Sequence, residues 1–249
     1  MSPVLIGLAL GITLIAGFVK GAVGFALPMI MISGLSAFLS PEIALAALIV
    51  PTVLANVWQA LRGGIAAALT SVSKFRIYIG MVLVFIALSS QLVALLPGRV
   101  LFLVLGVPIT LLTIVQLFGW RLPLKPERRR RNEIAIGSFA GFLGGVSGVW
   151  GPPTVAYLTA IETPKTEQVR VQGVVYGVGA MLLFFAHLKS GVLNSETLPL
   201  SIAMVVPTLI GMGLGFWVQD RLDQGKFRYF TLLVLVVAGL NLIRRGLFG

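Results

Sequence analysis

The sequence predicts an all-α polytopic membrane protein built from two inverted repeats, each a re-entrant helical hairpin followed by three transmembrane helices. Three observations predict it. Of 249 residues, 57% are hydrophobic and only 11% are charged, with a mean hydropathy of +1.01, whereas soluble domains carry about 25% charged residues. Six apolar stretches approach or reach the roughly 20 residues that a helix needs to cross a bilayer. A glycine–proline pattern, G-x3-G-x2-G-x3-P, occurs twice, half a chain apart: Gly17, Gly21, Gly24 and Pro28, then Gly141, Gly145, Gly148 and Pro152.

The first element is the hairpin, Pro3 to Leu39, split by the first motif. Its apolar sequence runs straight into the glycines with no basic region ahead of it, so it is expected to remain rather than be cleaved as a signal peptide. Three spans follow, Ile43 to Leu61, Ile77 to Leu96 and Val100 to Trp120. The second hairpin, Ile134 to Ile161, has a second piece, Pro153 to Ile161, too short to span, and three more spans run Val171 to Leu188, Leu198 to Val218 and Phe227 to Ile243. Irregular backbone at membrane depth is tolerated only where protein or a cavity surrounds it, so the two hairpins are expected to meet inside the protein.

The hairpins match at an offset of 124, and the duplication extends past them: Ser40-Pro41 matches Thr163-Pro164, Leu61 to Ile65 matches Leu188 to Val192, and Gly98-Arg99 matches Gly225-Lys226. The expected organisation is one membrane domain, with residues 1–120 as the first repeat, 121–133 as a basic cytoplasmic linker and 134–249 as the second repeat. An odd number of crossings per copy inverts the second copy relative to the first. Basic residues support inversion. With the run Arg128 to Arg131 placed in the cytoplasm, inverted repeats put 14 Lys and Arg inside and 4 outside, whereas parallel repeats give 12 and 6. Both termini then lie outside, against which the Arg244-Arg245 pair is the main counter-argument.

The formal charge of +11 comes from short loops between apolar runs, so it marks topology rather than nucleic-acid binding. Membrane lipid and a small anion are the expected partners, and the sequence says nothing of oligomeric state. There is no cysteine, no phosphate-binding loop, no metal-ligand cluster and no nucleophile beside a base, so neither an enzyme nor a cofactor is expected. All eight carboxylates fall in loops or at span ends, which leaves no buried Asp or Glu to serve a proton- or sodium-coupled pump.

Duplicated Gly/Pro interruptions of apolar segments point to a transporter's substrate site. The glycines have two readings that can hold together. One is close helix packing through Gly17-x3-Gly21 and Gly141-x3-Gly145; the other is unwinding at Gly21 to Gly24 and Gly145 to Gly148, which frees N–H groups for an anion. Proline suits the first turn after such a break. Lys20 is the only basic residue inside the first motif. A charge in a membrane segment costs at least ~2.5 kcal/mol on insertion scales, so Lys20 either reaches an interface or faces an anion. Asn56 and Gln59 share one helix face downstream of Pro51, which interrupts the bond to the Ala47 carbonyl. In the second half Ser147, Trp150, Thr154, Gln172 and Tyr176 are the polar or amphipathic candidates.

The segments Gly17-Phe18-Val19-Lys20-Gly21-Ala22-Val23-Gly24-Phe25-Ala26-Leu27-Pro28 and Gly141-Phe142-Leu143-Gly144-Gly145-Val146-Ser147-Gly148-Val149-Trp150-Gly151-Pro152 resemble the sulfite exporter TauE/SafE family of membrane transporters over nearly the whole chain. The resemblance implies transport, often export, of small sulfur-containing anions across a bacterial inner membrane. The expected site lies between the hairpin tips. Its residues are Gly17, Lys20, Gly21, Gly24, Asn56, Gln59, Gly145, Ser147, Gly148, Trp150, Gln172 and Tyr176. An anion channel, an uptake permease and a non-transporting scaffold are the alternatives.

Overall fold

A computed structural model describes residues 3–89, 98–119, 126–147 and 151–248. Among them every regular element is helical: α1 (Pro3–Val23), α2 (Leu27–Leu35), α3 (Pro41–Leu61), α4 (Ile65–Lys74), α5 (Arg76–Ser89), α6 (Gly98–Leu117), α7 (Arg129–Ser147), α8 (Gly151–Ala160), α9 (Lys165–Lys189), α10 (Leu198–Ala203), α11 (Val205–Arg221) and α12 (Gln224–Phe248). Five helical stretches are long and apolar enough to cross a membrane, and a sixth results if the bent pair α4–α5 is one span. Large apolar side chains such as Leu182, Phe185, Ile210 and Trp217 are exposed while Lys20, Asn56, Gln59 and Gln172 are buried, the distribution that a lipid solvent selects.

The element order repeats. Each half runs long helix, short helix, long helix, interrupted helix, long helix, with α1–α6 matched by α7–α12. Two details differ from the sequence reading. α1 has 21 residues, enough by length to cross, so only the nine-residue α2 is a short arm. The span expected from Ile77 starts at Arg76 as α5, but a separate α4 that the sequence reading assigned to no span precedes it, bent by 78° against it; the stretch 90–97 within that expected span lies outside the described residues.

Compact packing divides the chain differently from the repeats: one unit comprises residues 1–68 and 172–223, the other 69–171 and 224–249. In the first unit α1 lies along α11, and α2 packs on α1 and α3. Glycine sets the α1–α11 approach. A Cβ at Gly17 or Gly21 would run into the carbonyl oxygens of Thr208 or Met212, and one at Gly211 or Gly215 into those of Leu14 or Phe18. Trp58 of α3 meets Phe216 of α11 edge-on at 5.2 Å, and Arg62 lies 4.0 Å from the same ring while donating to Gln219 and pairing with Asp220.

Pro51 leaves the Ala47 carbonyl without its helical donor, as expected. Ser201 Oγ of α10 donates to that carbonyl at 3.5 Å and accepts from the Val50 N–H at 3.2 Å.

The second unit uses the same device. α5 lies along α7, where a Cβ at Gly141 would strike the Val82 carbonyl, and α6 lies along α12 with Gly106 and Gly239 at the contact. Tyr78 Oη donates to Thr154 Oγ1 at 3.0 Å and stacks on Tyr157 at 4.9 Å, fixing α8 beside α5. The first helix of each repeat therefore packs against the interrupted helix of the other.

One expectation about carboxylates is corrected. Glu133, in the second turn of α7, is buried rather than solvated. Its charge is compensated by Arg129, one turn earlier, at 2.8 Å, so a member of the arginine run has a structural role beyond topology.

Candidate functional site

The first motif breaks later than its spacing suggested. α1 stays helical through Val23, the last motif glycine, Gly24, takes φ 90°, and Ala26 takes φ 77° before α2 begins. Glycine adopts this left-handed backbone freely, whereas at Ala26 it costs roughly 1–2 kcal/mol. Pro28 lies in the first turn of α2, where its missing N–H is harmless. Gly17 and Gly21 remain in the helix and carry the packing on α11.

The break is held from outside by Gln59, whose Nε2 donates to the Gly24 carbonyl at 2.9 Å. One turn earlier on the same face of α3, Asn56 Oδ1 accepts from Lys20 Nζ at 2.7 Å. Lys20 is 2% exposed and is the only Lys or Arg that is buried among the described residues. Its Nζ also lies 5.7 Å from the centre of the Tyr176 ring. Both contacts turn the negative end of a neutral group toward the ammonium. No carboxylate forms an ion pair with Lys20 among the described residues, which include all eight Asp and Glu.

α9 supplies the remaining wall. A Cβ at Gly173 would press on the Gln59–Ala60 backbone and one at Gly177 would touch the Asn56 side chain, so this face of α9 lies on α3 at the height of Asn56 and Gln59. Gln172 and Tyr176 are one turn apart on α9, both buried. Neither amide atom of Gln172 has a hydrogen-bond partner. A buried amide left unmade costs about 1–3 kcal/mol, which a polar ligand or water offsets.

Of the sequence candidates in the first unit, Lys20, Gly24, Asn56, Gln59 and Tyr176 are thus brought together, with Gln172 one helical turn away. In the second unit Gly145 lies in α7 and Ser147 ends that helix, whereas Gly148 and Trp150 lie outside the described residues. That unit also buries polar groups that sequence reasoning passed over: the amide of Gln116 on α6 and the hydroxyl of Thr231 on α12 have no hydrogen-bond partner. Each interrupts an otherwise apolar run, the same signal that singled out Asn56.

The arrangement is a buried lysine with no ionic partner among the described residues, ringed by amides and an aromatic face inside an apolar helical protein. It can bind an anion. A family model described as Sulfite exporter TauE/SafE matches residues 9–242. No curated protein and no solved structure matches the chain.

Proposed function

We propose, from the premise that this chain belongs to the sulfite exporter TauE/SafE family, that it carries small sulfur-containing anions such as sulfite, sulfonates or organosulfur acids outward across a bacterial inner membrane. The family is one of membrane transporters, and the spanning helices place the chain in a membrane. The observation that carries the anion reading is Lys20: buried, joined to neutral Asn56, and without a carboxylate. A buried ammonium in a low-dielectric setting is costly unless an opposite charge is near, and a bound anion supplies that charge.

In this reading Lys20 neutralises the anion and the side-chain amides of Asn56 and Gln172 hydrogen-bond to its oxygens. Gln59 acts as a positioning residue that holds the Gly24 break, with the backbone N–H groups opening α2 turned to the substrate. In the second motif Gly145, Ser147, Gly148 and Trp150 are the candidate substrate residues. The repeats are inverted, and the transport cycle is one of alternating access.

The driving force follows from magnitude. A potential of 100 mV is worth about 2.3 kcal/mol per charge, so a negative-inside cell expels a monoanion without a coupled ion. The one buried carboxylate, Glu133, is engaged by Arg129, which fits uniport.

The test is thermal stability of the purified protein against sulfite, sulfate, thiosulfate, sulfonates and carboxylates, with Lys20→Ala in parallel. Saturable stabilisation by one anion, lost in the variant, is the expected result, and flux in liposomes that saturates distinguishes a carrier from a pore. No shift with any anion would favour the pore and scaffold readings over the carrier.

A further inference from the structure

We infer that the Lys20 site selects singly charged anions over doubly charged ones; the inference rests on the anion-site reading above. The argument is a charge count in a confined place. Among the described residues the buried formal charges are Lys20 and Glu133, and Glu133 already has Arg129 at 2.8 Å. The remaining buried charge is one ammonium. The other cations of the first unit are Arg62, paired with Asp220, and the exposed Lys189 and Arg221.

A monoanion at Lys20 brings the site to neutrality. A dianion leaves one net negative charge among Asn56, Gln172, Gln59 and Tyr176, groups that offer dipoles but no second formal charge. Burying an uncompensated charge is far costlier than burying a neutral pair, and amide donors recover only part of it.

The donor geometry agrees. Asn56 turns its Oδ1 to Lys20, which leaves its Nδ2 N–H groups for a ligand, while Gln59 has committed its Nε2 to Gly24. Gln172 adds a buried amide with no hydrogen-bond partner. One cation and two amides match an oxyanion with a single charge spread over its oxygens: a sulfonate, hydrogen sulfite or a carboxylate rather than sulfate or the sulfite dianion.

The test uses two ions of nearly one shape, methanesulfonate and methylphosphonate, on the detergent-purified full chain. Methanesulfonate is singly charged throughout, whereas methylphosphonate becomes a dianion above its second ionisation. The ratio of their affinities, read by ligand-induced thermal shift across pH, cancels any titration of the protein. Acetate is run as a second monoanion, sulfate and thiosulfate as dianions. The inference expects the methylphosphonate-to-methanesulfonate affinity ratio to fall tenfold per pH unit above that ionisation, and sulfate to bind at least about tenfold more weakly than either monoanion. A ratio that stays level or rises, or stabilisation by the dianions without the monoanions, overturns monoanion selection while leaving an anion site standing. No stabilisation by any anion, sulfite included, overturns the site and the selectivity together.

Discussion

Lys20 Nζ donates to Asn56 Oδ1 at 2.7 Å, joining the helix that leads into the first glycine break to the helix whose Gln59 holds that break in place. The pair sets the orientation of the Asn56 amide and leaves the ammonium charge uncancelled. Replacing that neutral acceptor by a charged one changes the site without changing its shape.

Asn56→Asp supplies a carboxylate where the amide oxygen now sits. The buried cation then has an internal counter-ion, and a substrate anion must compete with it. A ligand present at a hundred times its Kd stabilises by about 2.7 kcal/mol; in the variant that increment is expected to vanish while unliganded stability is kept or raised. Thermal unfolding with and without anion reads both, and an undiminished anion shift in Asn56→Asp contradicts the assignment.

Gly7 and Gly17 lie on the same helix and have opposite surroundings. A Cβ at Gly7 meets nothing within 4 Å, whereas at Gly17 it meets the Thr208 backbone. Gly7→Ala is expected to be neutral or to stabilise by roughly 0.5–1 kcal/mol, and Gly17→Ala to destabilise by about 1–3 kcal/mol. Parallel melting curves in one detergent decide it.

Ser201 matters because of Pro51. Ser201→Ala removes the donor that reaches the Ala47 carbonyl and is expected to cost about 1–3 kcal/mol. In a Pro51→Ala background the helix regains its own N–H, and the same serine substitution is expected to cost about 1 kcal/mol less. A double-mutant cycle with no coupling would mean that the serine serves some other contact.

The proposed inversion of the repeats is open to labelling, since the chain has no cysteine of its own. Glu127→Cys in the basic linker is expected to react with an impermeant maleimide only after permeabilisation. Glu196→Cys, in the turn before α10, is expected to react in intact cells. Reaction of both from the same side would reverse the charge-based topology.

The site was legible in the sequence to the extent that lipid makes polar residues conspicuous. Lys20, Asn56, Gln59, Gln172 and Tyr176 stood out from apolar surroundings because hydrocarbon offers them no partner, and the fold gathers them. The glycines were harder. Packing and unwinding impose the same residue, and only the presence of α11 against Gly17 and Gly21 separates them from Gly24, whose positive φ makes the break. The bend between α4 and α5 was missed because composition carries no angle. Gln59 was expected to face a ligand and instead holds a carbonyl, a distinction of side-chain direction that spacing does not encode.

The interleaving of the two compact units bears on how the chain is made. The surface of α1 around Gly17 and Gly21 fits α11, whose Gly211 lies 190 residues after Gly21. At a synthesis rate of about 5–20 residues per second, that groove waits roughly 10–40 s for its partner. A ribosome stalled at the basic linker has produced a whole repeat and neither unit. Until α9 brings Tyr176, the lysine in α1 has only Asn56 of α3 as a partner, and until α11 follows, the glycine face of α1 has none.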